Sequence, residues 1–314
     1  MKIKFWGVRG SIPTPLTLEQ LKSRIAAIVM RIKPHDLETP ETRDAFLAGL
    51  PPYLFGTVGG NTTCAEIRTA RNKLIIIDAG SGIRELAHSL VRRQEKIKDF
   101  YLFFTHFHWD HIQGLPFFIP AGYTPGNSIT FHSPREDLEP IIKGQMRSPY
   151  FPVGMEAMRA DMHFRQLTGG SLGVQGIQVR WREMKHPGGC TAYKFIEGDK
   201  SLIFATDSEI TPADFQKTEA NEAFFRNADL LILDSQYTLG EAIEKYNWGH
   251  TSYSMAIDFA AEWGIKTLVL FHHEPLYNDR KIYGILNSAE WYRARLENKR
   301  FRVMLAVEGM EIDV

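Results

Sequence analysis

Apolar residues along this chain fall into two spacings. Short runs of four to seven, rich in branched and aromatic side chains, recur as KIKFWGV, LIIID, YLFFT, SITF, LIFA, LLILD and TLVLF. Runs of that length bounded by turn residues predict buried β-strands. Between them lie segments with apolar positions three and four apart. Leu18, Leu21, Ile25, Ile28, Val29 and Ile32 form one such stripe. Thr17 and Gln20 predict a capping box at its start, and Pro34 a stop. The segments GSGIRELAHSLVRRQ, REDLEPIIKGQM, NEAFFRNA and SYSMAIDFAAEWG, with a stretch following Asp279, predict further helices.

The order of these elements sets the architecture. IQVRWREMKH, TAYKFIEG and KSLIFATD predict a β-meander with EGDK as a hairpin turn, and the tail alternates helix and strand. Each β-rich half ends in βαβα text. The expected fold class is α/β, a four-layer αββα sandwich with sheets packed on each other and helices outside. No break in composition divides the chain, so residues 1–314 are expected to form one domain. Two irregular excursions interrupt the pattern, at about 14–58 and about 145–167.

Composition narrows the classes of function. Lys plus Arg number 37 and Asp plus Glu number 37, so the formal net charge is zero. A whole surface tuned to nucleic acid or anionic membrane is therefore not expected. The two cysteines cannot build a disulfide framework. With no apolar run long enough to cross a bilayer and no signal-like start, the cytoplasm is the expected compartment.

The chemistry concentrates at the end of one strand. FFTHFHWDHIQG places His106, His108, Asp110 and His111 within six residues, directly after an apolar run. Imidazole and carboxylate together suit zinc, iron or manganese. So many donors this close together are costly unless a cation organises them. Four donors in one loop do not complete two ions, and other apolar strands end in similar residues. His186 follows IQVRWREMK, Asp207 follows KSLIFAT, and His272 and His273 follow KTLVLF. Strand C-terminal ends are where α/β proteins place ligand sites.

THFHWDH followed in order by His186, Asp207 and His272 resembles the metallo-β-lactamase superfamily over nearly the whole chain. FWGVRGS, GGNTTCAEIR, LIIIDAGSGIREL and WGHTS ahead of LVLFHHEP are most similar to its ribonuclease Z and phosphodiesterase-like branch. That resemblance implies two divalent metal ions, zinc first, with manganese or iron as alternatives. His106, His108 and His186 would hold one ion; Asp110, His111 and His272 the other, with Asp207 between them. His273 is the alternative to His272. Asp78 would brace the loops by hydrogen bonds. His250, in the Gly-His-Thr stretch, would serve as general acid for the leaving oxygen while a metal-bridging hydroxide attacks phosphorus.

Several residues stand beside this set. Arg9 and Asn61 lie in turns expected near the metals, where either could touch a phosphate or simply shape the turn. His132, Cys190 and Tyr237 are read as structural or pocket-lining. Neither excursion resembles the glycine- and lysine-rich arm with which ribonuclease Z grips transfer RNA. The expected function is a dinuclear phosphodiesterase acting on a small or cyclic nucleotide, with extended nucleic acid less favoured and no membrane partner. The alternatives are a same-fold hydrolase of thioesters or lactones and a ribonuclease Z-like endonuclease. The excursions are candidate lids or a homodimer interface.

Overall fold

The computed structural model describes residues 1–314. The first half of the chain supplies β1 (Lys2–Gly7), β2 (Cys64–Arg68), β3 (Leu74–Ile77), β4 (Asp99–Phe103), β5 (Ser128–Ser133) and β6 (Asp161–Gln166). The second half supplies β7 (Ser171–Val174), β8 (Ile177–Met184), β9 (Cys190–Glu197), β10 (Lys200–Ala205), β11 (Leu230–Asp234), β12 (Thr267–Phe271) and β13 (Arg302–Leu305), and β14 (Glu311–Asp313) closes the chain. They form two seven-stranded sheets, ordered β14-β1-β2-β3-β4-β5-β6 and β13-β12-β11-β10-β9-β8-β7. Each sheet joins an antiparallel part to a parallel run, β3 to β6 in one and β10 to β13 in the other.

Three apolar clusters make the layers. Ile75 and Ile77 of β3 face the other sheet, meeting a cluster that includes Phe204, Ile232, Val269 and Phe271. Leu74 and Ile76 face the opposite way, into a cluster with Leu86 and Leu90 of the helix Ile83–Arg92. The second sheet is covered likewise by Phe225, Phe259 and Trp263 among others. A strand buried on both faces reads as a continuous apolar run, which is why LIII does not alternate. Ile77 is fully buried, and its truncation to Ala would cost about 2–5 kcal/mol. The αββα sandwich expected from the element order is the observed one.

Two departures from the sequence reading are informative. The stretch 145–167 is not wholly irregular, because Asp161–Gln166 is an edge strand pairing with β5. Its side chains alternate between intermediate and exposed, so no apolar run marks it. The stretch 14–58 holds helices Leu18–Val29, Pro40–Ala48 and Pro52–Phe55. Thr17 and Gln20 do form the capping box, but the helix ends at Val29, ahead of Pro34. None of its side chains is buried; Leu18 is 67% and Val29 58% exposed. Periodicity specified the helix without a partner for its apolar stripe. Arg24 ties it to the body through Asp279 (2.6 Å) and the carbonyl of Gly56 (2.6 Å). No helix is long and apolar enough to cross a membrane.

Candidate metal centre

The sandwich aims its chemistry at one edge. β3 leads to Asp78, β4 to Thr105 and His106, β8 to His186, β10 to Asp207, β11 closes with Asp234, and β12 leads to His272. Asp78, Asp207 and His272 each adopt a left-handed backbone, with φ of 57°, 50° and 61°. Such conformations are uncommon outside glycine and concentrate where the surrounding fold enforces them. Here they turn three strand ends sharply into one cleft. A single helical turn, Trp109–Ile112, begins after His108 and brings Asp110 and His111 back toward His106.

Two donor groups result. His106, His108 and His186 form the first; Asp110, His111, Asp207 and His272 form the second, the donor atoms within each lying no more than 4.8 Å apart. Asp207 faces both. Its Oδ1 lies 3.1 Å from His111 Nε2 and 3.2 Å from His272 Nε2, and its Oδ2 lies 3.7 Å from His106 Nε2 and 3.8 Å from His186 Nε2. Asp110 Oδ2 completes the second group at 3.3 Å from His111 and 3.4 Å from His272.

The outer nitrogens fix the ring orientations. His111 Nδ1 donates to Asp78 (2.8 Å), His186 Nδ1 to the Gly249 carbonyl (2.9 Å), His272 Nδ1 to Gln236 Oε1 (3.2 Å), and His106 Nδ1 to Thr105 Oγ (3.2 Å). Each of these four rings therefore turns Nε2 inward, the orientation that outer partners impose on metal-binding histidines. His106 Nε2 and His111 Nε2 are buried and make no hydrogen bond. Buried nitrogens without partners, converging with carboxylate oxygens, fit a divalent cation in each group.

Electrostatics agree. Burial disfavours charge on His111, but Asp207, Asp110 and Asp78 outweigh it and hold its pKa well above the ordinary value. Burial likewise opposes the Asp207 carboxylate, but His111, His272 and His106 drive its pKa well below the usual range. Burial, reinforced by the neighbouring histidines and opposed by Asp207, pushes His106, His108 and His186 downward, toward the neutral form that coordinates metal. The cluster thus wants positive charge between its two aspartates.

Two glycines permit this packing. A Cβ on Gly10 would sit 2.5 Å from His272 Cε1, and one on Gly249 would sit 2.2 Å from His186 Nδ1. Ser11, next to Gly10, donates its backbone N–H to Asp110 Oδ2 at 2.8 Å.

The remaining candidates take distinct places. Asp78 braces the loops, accepting from Thr105 N–H (2.8 Å), Thr105 Oγ (2.7 Å) and His111. His272 joins the cluster; His273 points away and donates to the Ala306 carbonyl at 2.8 Å. Arg9 is buried and spends its guanidinium on the carbonyls of Gly59, Glu274 and Tyr277 and on Asp279. Asn61 bonds Glu308 and Ser81. Neither Arg9 nor Asn61 has its polar group in the cluster, because both are committed to holding turns together. His132 stacks on Phe103 at 4.4 Å, and Cys190 donates to the Thr206 carbonyl.

His250 stands over both groups, its ring 5.2 Å from that of His186 and 5.1 Å from that of His272. Its Nδ1 bonds Asp234 Oδ2 at 2.6 Å, and Tyr237 meets the ring edge-on at 5.6 Å. Burial lowers its pKa, but Asp234, with Asp207 and Asp110 adding to it, more than compensates and raises it to about 9. Asp234 escaped the sequence reading, though the signal was present: LLILD ends in a carboxylate just as LIIID does. Gln236 and the Ser11 amide carried no such signal. Ser252 caps the following helix through the Met255 amide, while Thr251 bonds Ser208 and Ile210.

A two-sheet sandwich with paired His/Asp groups at one edge defines a metal-dependent hydrolase of the metallo-β-lactamase class. The family described as the beta-lactamase superfamily domain matches residues 73–273, and the chain belongs to that superfamily. Ribonuclease Z of Streptococcus pneumoniae is 24% identical over 270 residues, spanning 69% of this chain and 84% of that protein. Among solved structures, a diphosphatase of the PhnP family superposes with a TM-score of 0.63 at 17% identity, covering 100% of this chain and 97% of that one. The short form of human tRNase Z superposes with a TM-score of 0.60 at 18% identity, covering 100% and 99%.

Proposed function

We propose that this protein is a dinuclear metal-dependent phosphodiesterase acting on a small nucleotide diester. The observation that carries the reading is His250, fixed by Asp234 above both donor groups. His106, His108 and His186 would hold one divalent ion; Asp110, His111 and His272 the second, with one oxygen of Asp207 toward each. Bound there, the ions supply Lewis acidity toward the phosphoryl oxygens and make water nucleophilic near neutral pH.

The chain's own part is orientation and proton transfer. Asp234 accepts from His250 Nδ1, which leaves Nε2 as the nitrogen that carries a proton to the departing oxygen. Asp234 also stabilises the imidazolium, as a carboxylate does behind any histidine acting as an acid. Asp78 and Thr105 keep the His106 and His111 rings from rotating. Thioester or lactone hydrolysis does not require an acid in this place. The balanced charge, 37 against 37, favours a small diester over a long polyanion. A second reading, cleavage of an RNA diester, draws support from the likeness to ribonuclease Z. The unpaired cysteines Cys64 and Cys190 suit a reducing compartment such as the cytoplasm.

The test is hydrolysis of bis(p-nitrophenyl) phosphate by protein reconstituted with zinc, manganese or iron. Turnover is expected to be abolished by Asp110→Ala, and with an alkyl diester, whose departing alkoxide needs a proton, to fall at least a hundredfold in His250→Ala. No turnover despite two bound ions would replace the reading with a thioester or lactone substrate.

A further inference from the structure

Beside the His106, His108 and His186 group lies a groove of about 630 Å3. Its floor comes from the β8–β9 hairpin and its far wall from the turn after β5. Trp181, Phe107 and Ile141 give it apolar surface, while Arg135 and Glu183 border it with a donor and an acceptor. Trp181 is half-buried, packed at its base against the inter-sheet core, and so held in place. Arg135 is held by two bonds to Asp137, Nε to Oδ1 and Nη2 to Oδ2, both 2.7 Å, and its Nη1 makes no bond within the chain. None of these residues serves the proton transfer described above.

The dimensions and lining match a planar heteroaromatic group with polar edges. Volumes of roughly 300–1,000 Å3 are usual for pockets that take small organic ligands. An indole face gives a stacking platform for any base, and charged groups at the rim address its edge atoms. The groove begins at the donor group itself, since His106 and His108 are part of its wall. A phosphoryl group at the cluster would therefore leave its attached nucleoside in the same groove as Trp181. Resting on the phosphodiesterase reading, we propose that this groove is the base-binding subsite, so that the substrate is a nucleoside diester whose base stacks on Trp181 and is addressed by Arg135 and Glu183.

Two diesters with the same leaving group separate the possibilities: thymidine 5′-(p-nitrophenyl phosphate) and methyl p-nitrophenyl phosphate. Base stacking is worth about 1–3 kcal/mol by alanine substitution, or about 5- to 150-fold. The native protein is expected to prefer the thymidine diester in kcat/KM by at least tenfold. Trp181→Ala is expected to cut that preference at least fivefold, acting mainly through KM, and Trp181→Phe to restore most of it. Equal efficiency toward both diesters, or an equal fall for both in Trp181→Ala, would overturn the groove assignment alone. Hydrolysis of neither would overturn the phosphodiesterase reading and the subsite with it.

Discussion

The two donor groups differ in how firmly the fold holds them. Asp110, His111, Asp207 and His272 are all buried, and each histidine or Asp110 has an outer partner: Asp78 for His111, Gln236 for His272, the Ser11 amide for Asp110. In the other group His106 and His186 are buried and held by Thr105 and the Gly249 carbonyl, but His108 is exposed and its hydrogen-bond partner is His186, at 3.1 Å. One group is closed and braced throughout; the other opens at His108 onto the groove beside Trp181. A braced group gives up less conformational entropy on binding an ion, and an open one admits substrate and solvent. The difference predicts tighter retention of an ion by the buried group and easier exchange at the open one.

The most severe way to break this asymmetry is to remove what the groups share. Asp207→Ala takes an oxygen from each, and is expected to lower turnover by at least about a thousandfold with loss of both ions, checked by metal content and diester hydrolysis. His250→Gln removes the acid but no donor of either ion in the proposed assignment. The expected outcome is a fall in kcat of about 10²–10⁴ with two ions retained.

Asp78→Asn sharpens the comparison. It weakens the brace on His111, so affinity for the ion of the buried group should fall about 10- to 100-fold while the open group changes less. Competition against a fluorescent chelator reads both affinities.

The smallest effect concerns the scaffold. Burial holds His132 neutral, with a pKa lowered from 6.5 to about 4. Below pH 6.5 the unfolded chain binds a proton there that the folded chain refuses. Stability is therefore lost as pH falls from about 6.5 to about 4, by up to about 2–3 kcal/mol. His132→Phe should flatten that part of the acid limb in urea titrations of the metal-free protein.

The sequence was most legible where chemistry and periodicity coincide. His106, His108, Asp110 and His111 follow an apolar run, the strands that lead to Asp207 and His272 are buried apolar runs, and the one that leads to His186 sits in a β-meander. The bracing carboxylates followed the same rule, and Asp234 was available to it. The choice of His272 over His273 was not legible from the pair alone, because it depends on a left-handed backbone at φ 61° that turns one ring in and the next away. Arg9 and Asn61 were read by proximity, and only their hydrogen bonds show them facing the turns. β6 was hidden because only Met162 and Phe164 of this edge strand face the core, too few to stand out as an apolar run. The helix Leu18–Val29 taught the converse, since its stripe was plain while its burial was absent.

Metal content at equilibrium tests the central claim most directly. Native mass spectrometry of the full chain, titrated with zinc from zero to three equivalents, counts ions per chain without reference to any substrate. Two ions filling in sequence are predicted, the first retained and the second lost on dialysis against a mild chelator. In Asp78→Asn the two steps should draw together. Saturation at one ion or none, or two ions of equal affinity in the native chain, would contradict the account.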